Sequence, residues 1–560
     1  MAALLLILIP LTCFGPGFFL VRKLRWDPLE KLCAAIGLSL VMLYLLSFAI
    51  FVLGLSWGLT WLVSLASVGL LAISRRELRR LWGVRRVRQV LGWGGALFLW
   101  NLLQLTLVRH LAGGYWCCDW YEHYQRALHF LTRGPTDYLF FNVYLLPARP
   151  PLMNLVTTFL QAQVGTSFLA FQIVTAFLNL LVFLPLLLLA RTFTRRGGGV
   201  VAGVAAVLAL SPMVSENAAF TWTKAHVGFY VVLALWLYLA GWRKQDPFRM
   251  GAAFFSLAAA VLTHYSAGPY VVFLALHFLG VVLITRRERL KGLLLATVPS
   301  ALLLATWFSW SLHVYGVAGT FASNSTVTES EKLGFTGNLL KVGENIFNTL
   351  VPHLLRPGHL VHLKTNGLRQ VIDNLFYLYQ VNLPFSMGSV GVVLIALLFV
   401  RGLRAKALGQ LRSERRFWLA FVLAVVPLGI AVHGNSDQYG VAHICLQPFT
   451  AMALTFLVTR VRQLPRWAGG AWLVGAAIDF ALGRGLHLYM SSSVEEWAID
   501  GNLHLKRANH YDLVYLGDLL AGVQGPLSVL IALGVLFWLW RLKQEVAAPL
   551  AARQAAAAAG

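Results

Sequence analysis

The segment 117–126 holds the densest cluster of reactive side chains and reads Cys-Cys-Asp-Trp-Tyr-Glu-His-Tyr-Gln-Arg. Four of its residues follow the spacing i, i+3, i+4 and i+7, namely Asp119, Glu122, His123 and Arg126. In a helix these side chains share one face. Two carboxylates and an imidazole on one face could bind a divalent cation such as Mg²⁺ or Mn²⁺. Equally, Arg126 could keep a carboxylate ionised as a general base. The alternative without chemistry is a solvated face of an interfacial helix.

Arg149 lies in the segment Leu-Pro-Ala-Arg-Pro-Pro-Leu-Met-Asn at 146–154. Its two following prolines favour an extended entry into a short helix that begins near residue 152. An arginine at the water–lipid boundary can bind a lipid phosphate. The alternative is an ordinary helix start with an arginine whose charged end extends to the membrane–water interface.

The segment 215–226 contributes Glu216, Lys224 and His226 to the same side of the chain. A lysine at the start of a helix near the boundary suits a phosphate or pyrophosphate group, and contact with lipid head groups is the alternative reading. Glu216 is a candidate for substrate binding.

Further candidates for substrate binding are His264, His433, Asp437 and His443. His264 could be a ligand or part of a capped polar turn. The polar turn 433–443 joins two hydrophobic spans and could line a sugar pocket, although a plain hydrated turn would look the same. Asp479 falls inside a span, where a carboxylate is a functional candidate unless Arg484, five residues later, pairs with it.

The elements that carry these residues must be membrane helices. Of the 560 residues, 58% are apolar and 12% are charged, half the charge of a typical soluble domain. Many continuous apolar runs reach the length of about 18 residues that a helix needs to cross a bilayer. We place fifteen: 1–21, 31–54, 57–74, 90–110, 167–190, 198–214, 226–243, 250–266, 268–285, 290–313, 386–403, 416–433, 444–461, 468–487 and 524–541. Soluble enzymes, disulfide scaffolds, fibrous proteins, disordered chains and membrane β-barrels are thereby excluded. The predicted fold is all-α and polytopic, with about 13–15 transmembrane helices and large outward-facing loops.

The net charge of +24 reflects the concentration of basic residues in the loops on one side of the membrane. When the loop at 22–25 is assigned to the cytoplasm, every alternate loop is basic, and the other loops are nearly balanced in charge. This pattern places the N-terminus outside and the C-terminus inside, and it argues against nucleic acid as a partner. The inner loops are short and contain no phosphate-binding or dinucleotide motif, so no nucleotide cofactor is expected.

Three parts and a tail are predicted. Residues 1–313 form an N-terminal membrane module with the outer loop 111–166, in which 152–165 is read as an amphipathic or re-entrant helix. Residues 314–385 form a basic extracytoplasmic loop that binds acceptor or covers the site, and 386–545 form C-terminal membrane helices with the outer loop 488–523. The tail 546–560 is expected to be disordered. The sequence allows a disulfide among Cys117, Cys118 and Cys445 but does not require one.

Three motifs, in this order, resemble those of the polytopic GT-C glycosyltransferases, including bacterial protein O-mannosyltransferase-like enzymes and the aminoarabinose transferases of lipid A. They are the acidic motif 119–123, the Arg-Pro-Pro-Leu segment 149–152 and the Trp-Thr-Lys segment 222–224. Many relatives place Asp and Glu side by side, whereas here Trp120 follows Asp119. The division of roles between Asp119 and Glu122 therefore stays open.

The resemblance implies transfer, with inversion, of a sugar from a polyprenyl-phosphate-linked donor. The acceptor would be an envelope glycan, lipid or protein on the outer face of a bacterial inner membrane. Asp119 and Glu122 would be catalytic, and His123 would complete a metal site. Arg149 and Lys224 would bind the donor phosphate, and Arg126 would help to bind substrate. Rival readings are a transporter or flippase for lipid-linked saccharides, and a saccharide polymerase or ligase.

Overall fold

A computed structural model describes residues 2–111, 119–194, 199–282, 284, 289–356, 367–404, 412–492 and 513–547, with Asp119 described by its backbone alone. These residues contain no β-strand, and their single β-bridge joins Phe140 to Tyr144. The predicted all-α class is thereby confirmed.

The first part of the chain forms fifteen α-helices. They are α1 (Ala2–Thr12), α2 (Gly15–Val21), α3 (Pro28–Val52), α4 (Leu59–Ile73), α5 (Arg75–Gly83), α6 (Arg85–Leu105), α7 (Asp119–Thr132), α8 (Leu152–Val164), α9 (Phe168–Leu180), α10 (Phe183–Phe193), α11 (Gly199–Leu210), α12 (Pro212–Ala219), α13 (Lys224–Lys244), α14 (Pro247–Thr263) and α15 (Gly268–His277). Their starts follow local sequence rules. For example, Asp27 and Glu30 form a capping box around Pro28 at the start of α3.

Twelve further α-helices follow. They are α16 (Arg289–Phe321), α17 (Ser325–Leu350), α18 (Gly367–Val381), α19 (Leu383–Ser386), α20 (Gly391–Arg404), α21 (Arg412–Ala431), α22 (Ala442–Cys445), α23 (Gln447–Arg460), α24 (Arg466–Phe480), α25 (Leu486–Ser491), α26 (Leu516–Leu519) and α27 (Gln524–Ala547). A π-helical turn, Ala481–Gly485, joins α24 to α25.

Within the described ranges, seven helices are long and apolar enough to cross a membrane, or nine when each of two sharply bent pairs counts as one span. The bent pairs are α4 with α5, at 72°, and α11 with α12, at 73°. Other expected spans are shorter helices of 17, 14 and 14 residues, namely α14, α20 and α23. The protein is thus a multi-pass membrane protein, and the number of 13–15 spans stays a prediction.

Helix α8 is buried along nearly its whole length and packs between α3, α7 and α9. Of the two readings considered for 152–165, this burial does not fit an amphipathic helix on the membrane surface and fits a re-entrant helix. The expected loop 314–385 contains the helices α17 and α18. We call the end of the bundle that carries α7, α12 and the turn 432–441 the outer end.

Of the three cysteines considered for a disulfide, Cys445 alone lies within the described residues. Cys445 is buried and free, together with Cys13 and Cys33. Cys117 and Cys118 lie outside the described residues, as do most of the outer loop 488–523 and the tail from residue 548.

Candidate functional site

Helix α7 carries the acidic motif and packs against α8 at the outer end. Glu122 is buried and accepts two hydrogen bonds from Arg126, at 2.9 Å from Nε and 2.5 Å from Nη2. Glu122 and Arg126 therefore share a face of α7 as their spacing predicts, and at these residues the face is buried rather than solvated. The Asp119 side chain lies outside the described residues.

Arg126 is a fully buried cation that holds the loop before α8 in place. Besides Glu122, it donates to the carbonyls of Leu145 and Leu146, and its guanidinium lies 4.1 Å from the centre of the Phe140 ring. With 0% of its surface exposed, Arg126 positions other groups, and a direct contact with substrate is not supported.

Arg149 faces the same carboxylate from the other side. Its Nη2 lies 3.4 Å from Oε2 of Glu122, and 12% of its side chain remains exposed. Tyr265 and Asn324 fix the preceding segment by donating to the carbonyls of Pro147 and Ala148 at 3.1 and 3.0 Å. Arg149 is therefore held at the edge of the buried cluster, where one side can meet a ligand.

Of the three expected cation ligands, Glu122 and His123 are described, and both already have polar partners. Glu122 is engaged by two arginines, and Nδ1 of His123 lies 3.2 Å from the side-chain oxygen of Asn154. Across the described part of the chain, no group of three or more His, Cys, Asp or Glu side chains is placed to bind a metal ion. A carboxylate that already neutralises two guanidinium groups is a poor ligand for a further cation.

The Trp-Thr-Lys segment packs directly onto the start of α7. The Thr221 hydroxyl donates to the Trp120 carbonyl at 3.4 Å, and the rings of Trp120 and Trp222 belong to one buried cluster. Thr221 has φ of +57°, a strained backbone conformation for a β-branched residue. Sequence reasoning missed Thr221, because no local pattern predicts this conformation.

Lys224 begins α13, and its ammonium lies 4.0 Å from the centre of the Trp222 ring. A cation at a helix N-terminus is disfavoured by the helix dipole, whereas an anion there is favoured. The placement of this lysine is thus best suited to a bound anionic group, which would benefit from both the ammonium and the helix end.

All three motifs therefore meet at the start of α7. Glu122 contacts Arg149 of the second motif, and Trp120 contacts Thr221, next to the third. The contacting residues are about 30 and 100 positions apart in sequence, so tertiary folding is needed to bring them together.

Glu216 does not face an open site. Its carboxylate is 1% exposed, is paired with Arg484 and accepts from His487 Nδ1 at 2.9 Å. Arg484 also donates from Nε to Gln104 at 2.7 Å. The expectation that Glu216 binds substrate is thus not supported, and the carboxylate instead ties α12 to the π-helical turn.

Asp479 and Arg484 do not pair with each other, which corrects the alternative considered from the sequence. Asp479 accepts from the Tyr379 hydroxyl at 2.8 Å and from the Ser389 backbone amide at 3.0 Å. Arg484 pairs with Glu216 instead. His264 caps a polar turn, since its Nδ1 accepts from the Ser266 amide at 3.0 Å.

The turn 432–441 borders a cavity of about 1080 Å³, which residues of α17 and α18 also line and which has both polar and apolar walls. His433, Asp437 and His443 all line it, as the sequence predicts for a sugar pocket. Gly440 has φ of +118°, and a Cβ there would lie only 2.7 Å from the Val381 carbonyl oxygen, so glycine is needed at this position.

Burial sets the charge of the cavity wall. Burial, together with the positive charges of Lys224 and Lys341, lowers the pKa of His433 to about 4, so its imidazole is neutral at pH 7. Burial raises the pKa of Asp437, although the backbone amides of Tyr439 and Gly440 counteract part of this effect by donating to the carboxylate.

No protein-family model matches the chain, and no curated protein matches its sequence. Among solved structures, it is similar to the crystal structure of ArnT from Cupriavidus metallidurans bound to undecaprenyl phosphate. The TM-score is 0.48 at 17% sequence identity, and the match covers 82% of this chain and 75% of that chain.

Proposed function

We propose that the protein is an inverting glycosyltransferase that moves a sugar from a polyprenyl-phosphate-linked donor to an acceptor on the non-cytoplasmic face of the membrane. The observation that carries this proposal is the meeting of the three motifs at the start of α7. This arrangement puts Asp119, Arg149 and Lys224 on elements that contact one another at the outer end. We place the protein in a bacterial inner membrane, with its N-terminus outside and its C-terminus in the cytoplasm.

The reaction needs one base and a stabilised leaving group. Asp119 removes the proton from an acceptor hydroxyl, whose oxygen attacks the anomeric carbon as the bond from that carbon to the phosphate oxygen breaks. The sugar gains oxocarbenium character in this step, and a single displacement inverts the anomeric centre. The leaving polyprenyl phosphate takes up the electron pair, so no ATP is required.

Positive charge at the site stabilises that leaving phosphate. We assign Arg149 and Lys224 to it as cationic hydrogen-bond partners, because both side chains are largely but not completely buried. Glu122 then has a positioning role, since it orients Arg149 and Arg126 and its charge is already neutralised by them. The proposed mechanism uses no divalent cation.

A transfer assay on purified protein tests the proposal. Radiolabelled polyprenyl phosphate sugars are supplied with a membrane extract as acceptor, with and without EDTA. We expect label to move from at least one donor to the extract, and EDTA to leave the rate unchanged. Consumption of a donor only by movement of the intact lipid-linked sugar across a vesicle membrane would instead indicate a flippase, and joining of whole lipid-linked chains would indicate a polymerase or ligase.

A further inference from the structure

The turn 432–441 beside the cavity has several of its backbone carbonyls hydrogen-bonded to neighbouring side chains. The backbone carbonyls of Asn435, Asp437 and Gln438 accept hydrogen bonds from Asn345 and Asn348 of α17 and from Arg356. These hydrogen bonds therefore hold the backbone of the turn in place. A preformed wall of this kind loses little conformational freedom when a ligand binds.

The exposed groups of this wall combine one aromatic face with several amide, hydroxyl and carboxylate groups. Phe347 is 53% exposed, and the same cavity is lined by the exposed polar residues Glu344, Asn435, Ser436 and Gln438. A sugar ring has the matching surface, because its C–H groups form an apolar face and its hydroxyls form a polar rim. Aromatic rings pack against the first, and amides and carboxylates bond to the second.

The cavity is large enough for more than one sugar ring. Its volume of about 1080 Å³ lies at the upper limit of the roughly 300–1,000 Å³ that small-molecule pockets usually have. The lining combines polar and apolar groups, which suits a sugar ring better than an acyl chain. A peptide acceptor would use backbone groups of the wall, and the carbonyls of Asn435, Asp437 and Gln438 are already bonded to side chains.

The cavity also adjoins the group that we assign to the donor phosphate. His433, which lines it, interacts electrostatically with Lys224. His443, which also lines it, stacks against Trp222 at 6.1 Å between ring centres, and Lys224 lies over the same Trp222 ring. His443 and Trp222 thus connect the cavity to Lys224, so a ligand in the cavity would lie on the side of the outer end where we assign the donor phosphate.

We propose that this cavity is the acceptor site and that the acceptor it binds is a saccharide, so that the enzyme extends or decorates a glycan. The inference rests on the proposed function, which it deepens by naming the class of acceptor and the surface that selects it. Phe347 is the main contact for the sugar ring, and Asn435 and Gln438 bond its hydroxyls.

Direct binding tests this inference without any donor. The full-length protein is placed in lipid nanodiscs, because the sugar head group of a maltoside detergent would compete. Saturation-transfer NMR is then recorded with trisaccharides of mannose, of N-acetylglucosamine and of rhamnose, and with a Ser/Thr-rich hexapeptide. We expect at least one trisaccharide to bind, and Phe347→Ala to bind it roughly tenfold more weakly.

A matched control lies on the same helix. Phe335 is 87% exposed and does not line the cavity, so Phe335→Ala should bind like the native protein. Absence of binding by every trisaccharide, equal losses in the two variants, or Phe347-dependent binding of the peptide alone would each overturn the inference. Asn435→Ala provides a second variant, and its polar, exposed side chain makes a folding defect unexpected.

Failure of this inference differs from failure of the proposed function. Saccharide binding that needs Phe347, without sugar transfer from any donor, would contradict the transferase and leave the saccharide site standing. Transfer to an acceptor that contains no saccharide, at a rate unaffected by Phe347→Ala, would contradict the saccharide site and leave the transferase standing.

Discussion

At the scale of single residues, Glu122 determines whether the buried cations of the site are neutralised. It is 1% exposed and contacts both Arg126 and Arg149. Removal of one partner from a buried ion pair leaves an uncompensated charge, so Glu122→Ala should lower the free energy of unfolding by about 3–5 kcal/mol. The double variant Glu122→Ala/Arg126→Met should recover part of that loss. Thermal unfolding of the four proteins of this cycle measures the coupling, and additive losses would contradict the ion pair.

Lys224 is predicted to bind the phosphate of the sugar donor, so its substitution should weaken donor binding. Loss of a hydrogen bond to a charged group costs about 1.5–3 kcal/mol, so Lys224→Met should raise KM for the donor roughly ten- to a hundred-fold. Lys224→Arg should keep most of the affinity. The control is Lys332→Met, because the Lys332 side chain is 71% exposed and lies on α17 away from α13. An unchanged KM in Lys224→Met would remove this residue from the phosphate site.

Part of this site follows from sequence spacing alone. The separation of four residues in a helix predicts that Glu122 and Arg126 share a face, and they do pair. The pairing of Arg484 with Glu216 does not follow, because those residues are 268 positions apart and a nearer acid, Asp479, competes as a candidate. Sequence order cannot rank such partners, since only the packing of α12 against the π-helical turn decides between them.

At the scale of elements, the π-helical turn Ala481–Gly485 determines how α24 and α25 pack against α18. A Cβ at Gly483 would lie 2.5 Å from a ring carbon of Tyr379 and 2.8 Å from the Cβ of Pro212. Gly483→Ala should therefore destabilise the protein by about 1–3 kcal/mol, as overpacking does. The control is Gly485→Ala in the same turn, where the nearest atom is 3.7 Å away. Equal thermal stabilities of the two variants would contradict the close packing.

The outer elements should weaken in acid. Burial, assisted by Arg126 for His129, by Arg356 for His353 and by Lys224 and Lys341 for His433, lowers the pKa of each of these imidazoles from 6.5 to about 4. The unfolded chain therefore takes up these protons at higher pH than the folded chain. The stability that the neutral imidazoles contribute is complete above pH 6.5 and is lost as the pH falls towards 4.

Measurement of the melting temperature between pH 7.5 and pH 4 tests this expectation. The native protein should lose stability steadily below pH 6.5, and the triple variant His129→Gln, His353→Gln, His433→Gln should show a flatter profile over the same range. Parallel profiles for the two proteins would show that these histidines do not set the acid sensitivity.

The elements were predicted well where one physical rule dominates. Long apolar runs give the membrane helices, because the bilayer leaves the backbone no other way to satisfy its hydrogen bonds. The sequence leaves α8 as either amphipathic or re-entrant, because a length of 13 residues is compatible with a surface helix and with a buried one. For 314–385 it predicts only an outer loop region, because the mixed polar and apolar residues of α17 and α18 give no span signal.

At the scale of the whole molecule, the predicted topology separates the basic loops from the candidate site. It places the basic loops at the cytoplasmic end and the motif residues at the other end. Under the proposed function, a lipid-linked donor remains in the bilayer while its phosphate reaches the outer end. The energy for that transfer would come from the sugar–phosphate bond, and the inner loops contain no nucleotide-binding motif.

The most direct test of the account compares sugar transfer by the native protein with transfer by Asp119→Asn. The control is Asp137→Asn, because Asp137 is an exposed carboxylate of the same outer region. Loss of the general base should slow transfer by roughly 10²–10⁴-fold in Asp119→Asn. Asp137→Asn should keep the native rate, and both variants should retain the native melting temperature. Full transfer activity in Asp119→Asn would contradict the central claim that the start of α7 is the catalytic centre.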